Sequence, residues 1–238
     1  MNDAANAAQF AHWNEVAGPK WVGLGDAMEL RLNNVNELLL ARAAAVAGEA
    51  VLDVGCGTGS TTLPWAAAVG AAGSVLGIDI SEPMLTIARR RVADRGAGNV
   101  TLLSADAQTE RLPAGRFDLL ASRFGVMFFA DPVAAFHNLY STLRRGGRLC
   151  FVCWDTLVRN PHWQVPLDIV VRRLGPPGAK PARAGADGVQ RSRVCARHPR
   201  RRWFRSGRDP ARGRQRHWLN ASRRSGLGQH HGSGGRAA

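Results

Sequence analysis

Acidic side chains almost vanish from the end of this sequence. Residues 175–238 contain Asp187 and Asp209 and no glutamate, against 16 Lys and Arg. Residues 1–174 hold 16 acidic and 16 basic groups, so the formal +14 of the 238-residue chain lies in the last quarter. The description is a neutral protein with an Arg-rich tail, not a basic enzyme. Cysteine is scarce too. Cys56, Cys150, Cys153 and Cys195 are too few and too scattered for a disulfide scaffold. No apolar run reaches the ~18 residues that a bilayer crossing needs. The longest candidate, near 64–78, is interrupted by Pro64, Gly70 and Gly73. The opening MNDAANAAQF lacks the basic and apolar regions of a signal peptide. A soluble, cytoplasmic protein is the expectation.

What is present is an alternation of strand and helix patterns through residue 174. A helix is expected over about 27–46, with Leu30, Val35, Leu38 and Leu39 facing inward. Strands are expected at 51–55, 74–80, 100–106, 117–122 and 148–154. Helices should follow from about residue 60, from Ser81 as a cap to about Asp94, and from Asp131-Pro132 to Gly146-Gly147. Apolar strands alternating with helices predict an α/β fold: a Rossmann-like, mostly parallel sheet covered on both faces. Ligands of such sheets sit beyond the carboxyl ends of the strands, where the strand order reverses. The expected organisation is an N-terminal helical cap (1–48), a nucleotide-binding domain (49–174) and the tail (175–238).

The most informative stretch is VLDVGCGTG, residues 51–59. Alternate glycines after a strand allow a ligand to approach where a Cβ would clash. Asp79 ends the next strand, placed to accept hydrogen bonds from both hydroxyls of a ribose. Two cofactor classes compete for such a site. A dinucleotide site wants G-x-G-x-x-G, with the pyrophosphate on a helix N-terminus. Here Ser60 stands at the third glycine's place and Asp53 precedes the loop. A carboxylate there repels a pyrophosphate and suits a cationic ligand, so an NAD-dependent oxidoreductase is disfavoured and S-adenosylmethionine, a sulfonium without phosphate, is preferred.

VLDVGCGTG, GIDISEPML, SADAQ, FDLLASRFGVMFFADP and RRGGRLCFVCW resemble, in order, the successive motifs of class I S-adenosylmethionine-dependent methyltransferases, nearest the ubiquinone/menaquinone-type small-molecule group. The resemblance spans about 10–174. It implies that Asp53, Gly55, Gly57 and Thr58 cradle the methionine moiety and that Asp79 holds the ribose. Ile80 and Met84 would pack the adenine, Asp106 and Ala107 would meet its amino group, and Ser122 would line the site. Trp13 and Trp21 would belong to a cap. Each has a plainer reading: Met84 as core, Asp106 as a turn cap, and the two tryptophans as packing on the sheet edge.

Methyl transfer from a sulfonium is an in-line displacement, so positioning in a dry pocket is the main requirement. No metal constellation is evident. Cys150 and Cys153 point to opposite faces of a strand and read as packing. His12, His137 and His162 are isolated. The pocket for a small-molecule acceptor is expected between the cap, Arg123-Phe124, and the segment holding Trp154, Asn160 and Trp163, with Asp155 as candidate general base. Arg145 stands where relatives usually carry proline.

Class I methyltransferases close with two further strands, and residues 175–238 cannot supply them. They contain no isoleucine or methionine and only Val189, Val194, Leu219 and Leu227 among Leu and Val. Such composition predicts disorder. Two readings of the tail stay open. One is an arm for RNA or DNA, with Trp203, Phe204 and Trp218 stacking on bases; it would make the chain a nucleic-acid-binding protein or an RNA methyltransferase. The other, preferred, is a frameshift between about Leu174 and Lys180. Read one nucleotide later, VQRSRVCARHPRRRWF (189–204) permits FSDPEYVRAILADAGF, similar to the segment that precedes the relatives' sixth strand. A high-GC gene read out of frame floods with arginine, and this chain has 30 Arg to 2 Lys. An apolar fifth strand without its neighbour would then be an exposed edge, with impaired activity.

Overall fold

A computed structural model describes residues 6–175; the expectations for the tail, Cys195 included, otherwise lie outside the described residues. The chain begins as a helical arm: α1 (Ala7–Ala11), a π-helical turn (His12–Val16) and α2 (Ala17–Ala43). α2 breaks at Gly25, whose φ of 47° and ψ of −131° are not helical. Its second half corresponds to the helix expected from residue 27. Leu32, Val35, Leu39 and Ala43 are its buried face. Leu30 is 79% exposed, contrary to expectation. Two residues turn a helix by about 200°, so Leu30 stands opposite Leu32.

Five strands follow: β1 (Ala50–Val54), β2 (Ser74–Asp79), β3 (Val100–Ser104), β4 (Phe117–Arg123) and β5 (Leu143–Val152). They are joined through α3 (Thr62–Val69), α4 (Glu82–Asp94) and α5 (Pro132–Thr142), and α6 (Pro161–Leu174) ends the described chain. The order is β3-β2-β1-β4-β5, and every pairing is parallel. This is the expected Rossmann-like sheet. Its strand order reverses between β1 and β4, which opens a crevice at their carboxyl ends.

Period-two alternation divides the core. Leu52, Val54, Ile78 and Leu120 pack on one face with Val126, Ala135 and Leu139. Val51, Val75, Leu119 and Ala121 pack on the other with Trp65, Ala66 and Val69 of α3 and with Leu39 and Ala43 of α2. Cys150 joins the second cluster and Cys153 the first, so the two cysteines do serve as packing on opposite faces.

Two local expectations are corrected. Ser81 does precede α4, but its side chain makes no capping bond. Its hydroxyl donates to the Trp13 carbonyl at 2.8 Å, and Asn14 from the N-terminal arm accepts the Glu82 N–H instead. α5 stops at Thr142 rather than at Gly146-Gly147. Leu143 already pairs with Phe117, and the register shifts before Leu119 pairs with Arg148, so both glycines fall inside β5. At the other end of that helix Asp131 caps as expected, accepting from the N–H groups of Val133 and Ala134. Among the described residues β5 pairs with β4 alone.

Candidate cofactor and acceptor site

The floor of the crevice is a crossing of two backbones. A Cβ on Gly55 would lie 2.6 Å from Gly125 Cα, and one on Gly125 would lie 2.5 Å from the Val54 carbonyl oxygen. Ser122 secures the crossing from beneath. Its hydroxyl donates to the Val54 carbonyl at 2.7 Å and accepts from the N–H groups of Gly125 and Val126. It is fully buried, outside the cavity lining.

Above the β1–β2–β3 ends, the structure brings Gly55, Gly57, Asp79, Ile80, Met84, Asp106 and Ala107 together in the lining. Gly57 donates its N–H to Asp79 Oδ2, and Ser81 donates to Oδ1, both at 2.8 Å. Burial pushes the Asp79 carboxyl up against the pull of these bonds. Asp106 accepts from Gln108 N–H and from the Asn6 amide, so its turn-capping role holds while it also faces the cavity.

The β4–β5 end is aromatic: Phe124, Met127, Phe128, Trp154 and Trp21 line it. Phe124 takes φ +67°, a left-handed conformation rare for an aromatic residue. Its ring stacks on Trp154, centroids 4.6 Å apart and planes within 4°. Trp13 meets Phe128 edge-on at 5.0 Å. Asn14 donates to the Ile80 carbonyl at 2.8 Å, so the arm carrying both tryptophans is fastened over the β2 end.

Arg123 also lines this cavity, but its charge is committed. Both terminal nitrogens donate to one oxygen of Glu29 on α2 at 3.0 Å, and they reach Asn36 and Ser60 as well. Burial raises the Glu29 carboxyl, yet Arg123, Ser60 and Thr58 together hold it below its ordinary range.

Several predicted residues lie elsewhere. Asp53 is fully buried behind the loop, its Oδ2 accepting from the hydroxyls of Thr61 and Thr62. Burial lifts its carboxyl to about 6, with Thr62 and Thr61 pulling the other way, and Oδ1 has no hydrogen-bond partner among the described residues. Thr58 turns to Glu29 and Arg91. Asp155 is not in the lining: it caps Thr156 and pairs with Arg159 at 3.2 Å, which removes the candidate base from the site. Asn160 bonds the carbonyls of Asp155 and Thr156, and Trp163, 54% exposed, packs edge-on against Trp154. Neither lines the cavity, and neither do His12 or His137. Sequence reasoning missed Asn6, Cys56, Met127, Phe128 and Phe129 in the lining. Cys56 was within reach, being inside the glycine run. Burial pushes its thiol well up, so it stays a protonated wall group.

The residues present fit S-adenosylmethionine. A Cβ on Gly57 would fill the cradle, lying 2.8 Å from Met84 Cε. The charged side chains of the lining are Asp79, Asp106 and an Arg123 already neutralised by Glu29. That balance favours a cation and opposes a pyrophosphate, in agreement with the choice against NAD. Among the described residues no cluster of His, Cys, Asp and Glu could hold a metal.

Residues 51–147 match a family described as "Methyltransferase domain". The chain is 42% identical over 106 residues to aklanonic acid methyltransferase DauC of Streptomyces sp. strain C5, covering 44% of this chain and 48% of that one. It is 40% identical over 103 residues to the ubiquinone/menaquinone biosynthesis C-methyltransferase UbiE of Azotobacter vinelandii, covering 43% and 41%. It therefore spans about half the length, or less, of these curated relatives. A solved structure of a Methanococcus maripaludis protein assigned to the S-adenosylmethionine-dependent methyltransferases has a TM-score of 0.53 at 19% identity. It covers 68% of this chain and 73% of that one, and it shows the shared fold. The stretch from β1 into β5 thus matches a methyltransferase domain in sequence and shares the fold of a solved relative of that kind.

Proposed function

We propose that this chain transfers a methyl group from S-adenosylmethionine to a small organic acceptor with a flat apolar body. The observation that carries the reading is a single cavity with two chemically distinct ends: glycines and carboxylates over β1–β3, aromatic rings over β4–β5. Asp79 would hold the ribose hydroxyls, Gly55 and Gly57 would admit the chain of the amino acid, and Ile80 and Met84 would flank the base. When bound, the cofactor supplies an electrophilic methyl group on a positively charged sulfur. The protein's own part is to align the acceptor and exclude water, which the aromatic walls and the fastened N-terminal arm are suited to do.

No carboxylate or histidine lines the aromatic end among the described residues. An acceptor that ionises easily by itself, such as a phenol or an enol, therefore fits better than one needing a strong base. The relatives' names include both a C-methyltransferase and an O-methyltransferase, so they do not choose between carbon and oxygen. An RNA acceptor is disfavoured because Arg123, the one cation in the lining among the described residues, is held by Glu29 rather than offered to phosphate.

The test has two stages. A thermal melt of the full chain with S-adenosylhomocysteine at 100 times its dissociation constant should add ~2.7 kcal/mol of stability, with NAD as control. Radiolabelled methyl transfer to a panel of phenols and enols then reads turnover. Stabilisation by NAD and not by S-adenosylhomocysteine would overturn the assignment.

A further inference from the structure

The last described helix is turned inside out. In α6, Gln164, Leu167, Asp168 and Val171 form the half-buried stripe, at the three- and four-residue spacing of one helix face. Two of those four are polar, and they satisfy one another: the Gln164 amide donates to Asp168 Oδ1 at 2.6 Å. The apolar side chains are outside. Trp163, Val165, Ile169, Val170 and Leu174 are each between 49% and 82% exposed. Single exposed apolar residues are ordinary on a surface, whereas five on one side of a 14-residue helix call for a partner.

Charge decides which partner. Arg172 and Arg173 are exposed in the last turn of α6. Asp168 is the one acid between Asp155 and Asp187, and it lies on the inward stripe. The sequence that follows carries the chain's net +14. A second copy would bring like charges together around the same face. A nucleic acid would meet the arginines and leave the apolar side chains in water. An anionic bilayer matches both, with negative headgroups above an apolar interior. A helix of this length spans about 21 Å, short of the ~30 Å hydrocarbon core. Among the described residues no helix is long and apolar enough to cross a membrane. The geometry is therefore that of a helix lying along the surface.

We propose that α6 docks this chain on an anionic lipid surface: Trp163, Val165, Ile169, Val170 and Leu174 enter the boundary between headgroups and acyl chains, and Arg172 and Arg173 reach the lipid phosphates. Arg173 follows Ile169 and Val170 by one turn, and its long stem lets the guanidinium rise to headgroup level. The net positive charge of the chain draws it to the surface. Docking of this kind is independent of what the cavity binds.

The test is cosedimentation of the full chain with vesicles of phosphatidylcholine alone and of phosphatidylcholine mixed with phosphatidylglycerol. The mixed vesicles should bind about tenfold more tightly or better, and added salt should narrow the difference. Ile169→Gln with Leu174→Gln should weaken that binding about tenfold or more at unchanged charge. Both sites are exposed, so the double variant should keep the parent's circular dichroism and urea midpoint. On vesicles carrying brominated acyl chains the parent should lose tryptophan emission, and Trp163→Phe should lose less. Equal affinity of parent and double variant would mean that charge alone holds the chain, and would overturn the proposal. So would binding without quenching, or no preference for the anionic vesicles. A parent dimer that the double change dissociates, with neither kind of vesicle taken up, would give the face to a second copy instead.

Discussion

Gly57 donates its backbone N–H to Asp79 Oδ2 at 2.8 Å, so the glycine loop and the acid at the end of the next strand form one device. The loop pre-orients the carboxylate, and the carboxylate fixes the loop. Lone pairs remain on both oxygens for a ribose. Hydrogen bonds to a charged group contribute about 1.5–3 kcal/mol each. Asp79→Asn should therefore weaken S-adenosylhomocysteine about ten- to a hundredfold in titration calorimetry. Ligand hydroxyls donate to the ionised form, whose pKa burial has raised. On acidification, affinity should accordingly begin to fall at a pH above the ordinary carboxylate range. The Asp79→Asn chain should lose that dependence.

Gly57 itself gives a second prediction. It has φ +55°, and its missing Cβ is where Met84 Cε would be met at 2.8 Å. The methyl end of a methionine can swing aside, so Gly57→Ala should fold, at a cost of about 1–2 kcal/mol for the left-handed backbone. The new methyl group still projects into the cradle. Binding of S-adenosylhomocysteine should drop about tenfold or more, beyond what the stability change explains. Unchanged affinity in a folded Gly57→Ala chain would place the cofactor elsewhere.

The ion pair of Glu29 with Arg123 joins the N-terminal arm to β4, with side chains 16% and 8% exposed. Removing one member of a buried pair leaves the other charge uncompensated, at about 3–5 kcal/mol. Glu29→Ala should lower urea-unfolding stability by that order. The double change Glu29→Leu with Arg123→Met should cost less than Glu29→Ala, because no lone charge is left inside. A chemical-denaturation cycle checks both. The Glu29 carboxyl is held below its ordinary range, so its contribution is present above the unfolded pKa and lost as pH falls through the folded one.

How much of this was legible follows from what kind of signal each residue carries. The sheet and its cofactor end were readable because apolar runs, glycines and a strand-ending acid are local patterns, and a parallel sheet turns local order into spatial order. Glu29 was not: helix periodicity says which face is buried, not which cation it will meet 94 residues later. Asp53 stood out as an acid before the glycine loop, but its direction was not legible. Val51 and Asp53 point to the same side of β1, the side that α3 covers, and the start of α3 supplies Thr61 and Thr62. Beyond β5 the pattern stops. Asp155 therefore looked like a candidate base when its actual partner is Arg159, one helical turn away.

Asp53 carries the last prediction. With no exposure and one oxygen unpaired among the described residues, its carboxyl is lifted by burial from the ordinary 3.8 to about 6. The folded protein thus holds this proton more tightly than the unfolded chain does. Below the unfolded pKa both states are protonated and the group is neutral to stability. As pH rises from the unfolded pKa to the folded one, the unfolded chain ionises while the buried carboxyl still holds its proton, so stability is lost across that window and levels off once the buried group has ionised too. A shift of this size corresponds to about 3 kcal/mol. Asp53→Asn removes the titration, whatever constant offset the amide introduces through its own hydrogen bonds. The stability of the Asp53→Asn chain relative to the parent should climb by about that amount between pH 4 and pH 7 in urea unfolding, and level off above. A difference that stays flat across this range would mean that Asp53 is ionised throughout, with its charge met by a group other than Thr61 and Thr62.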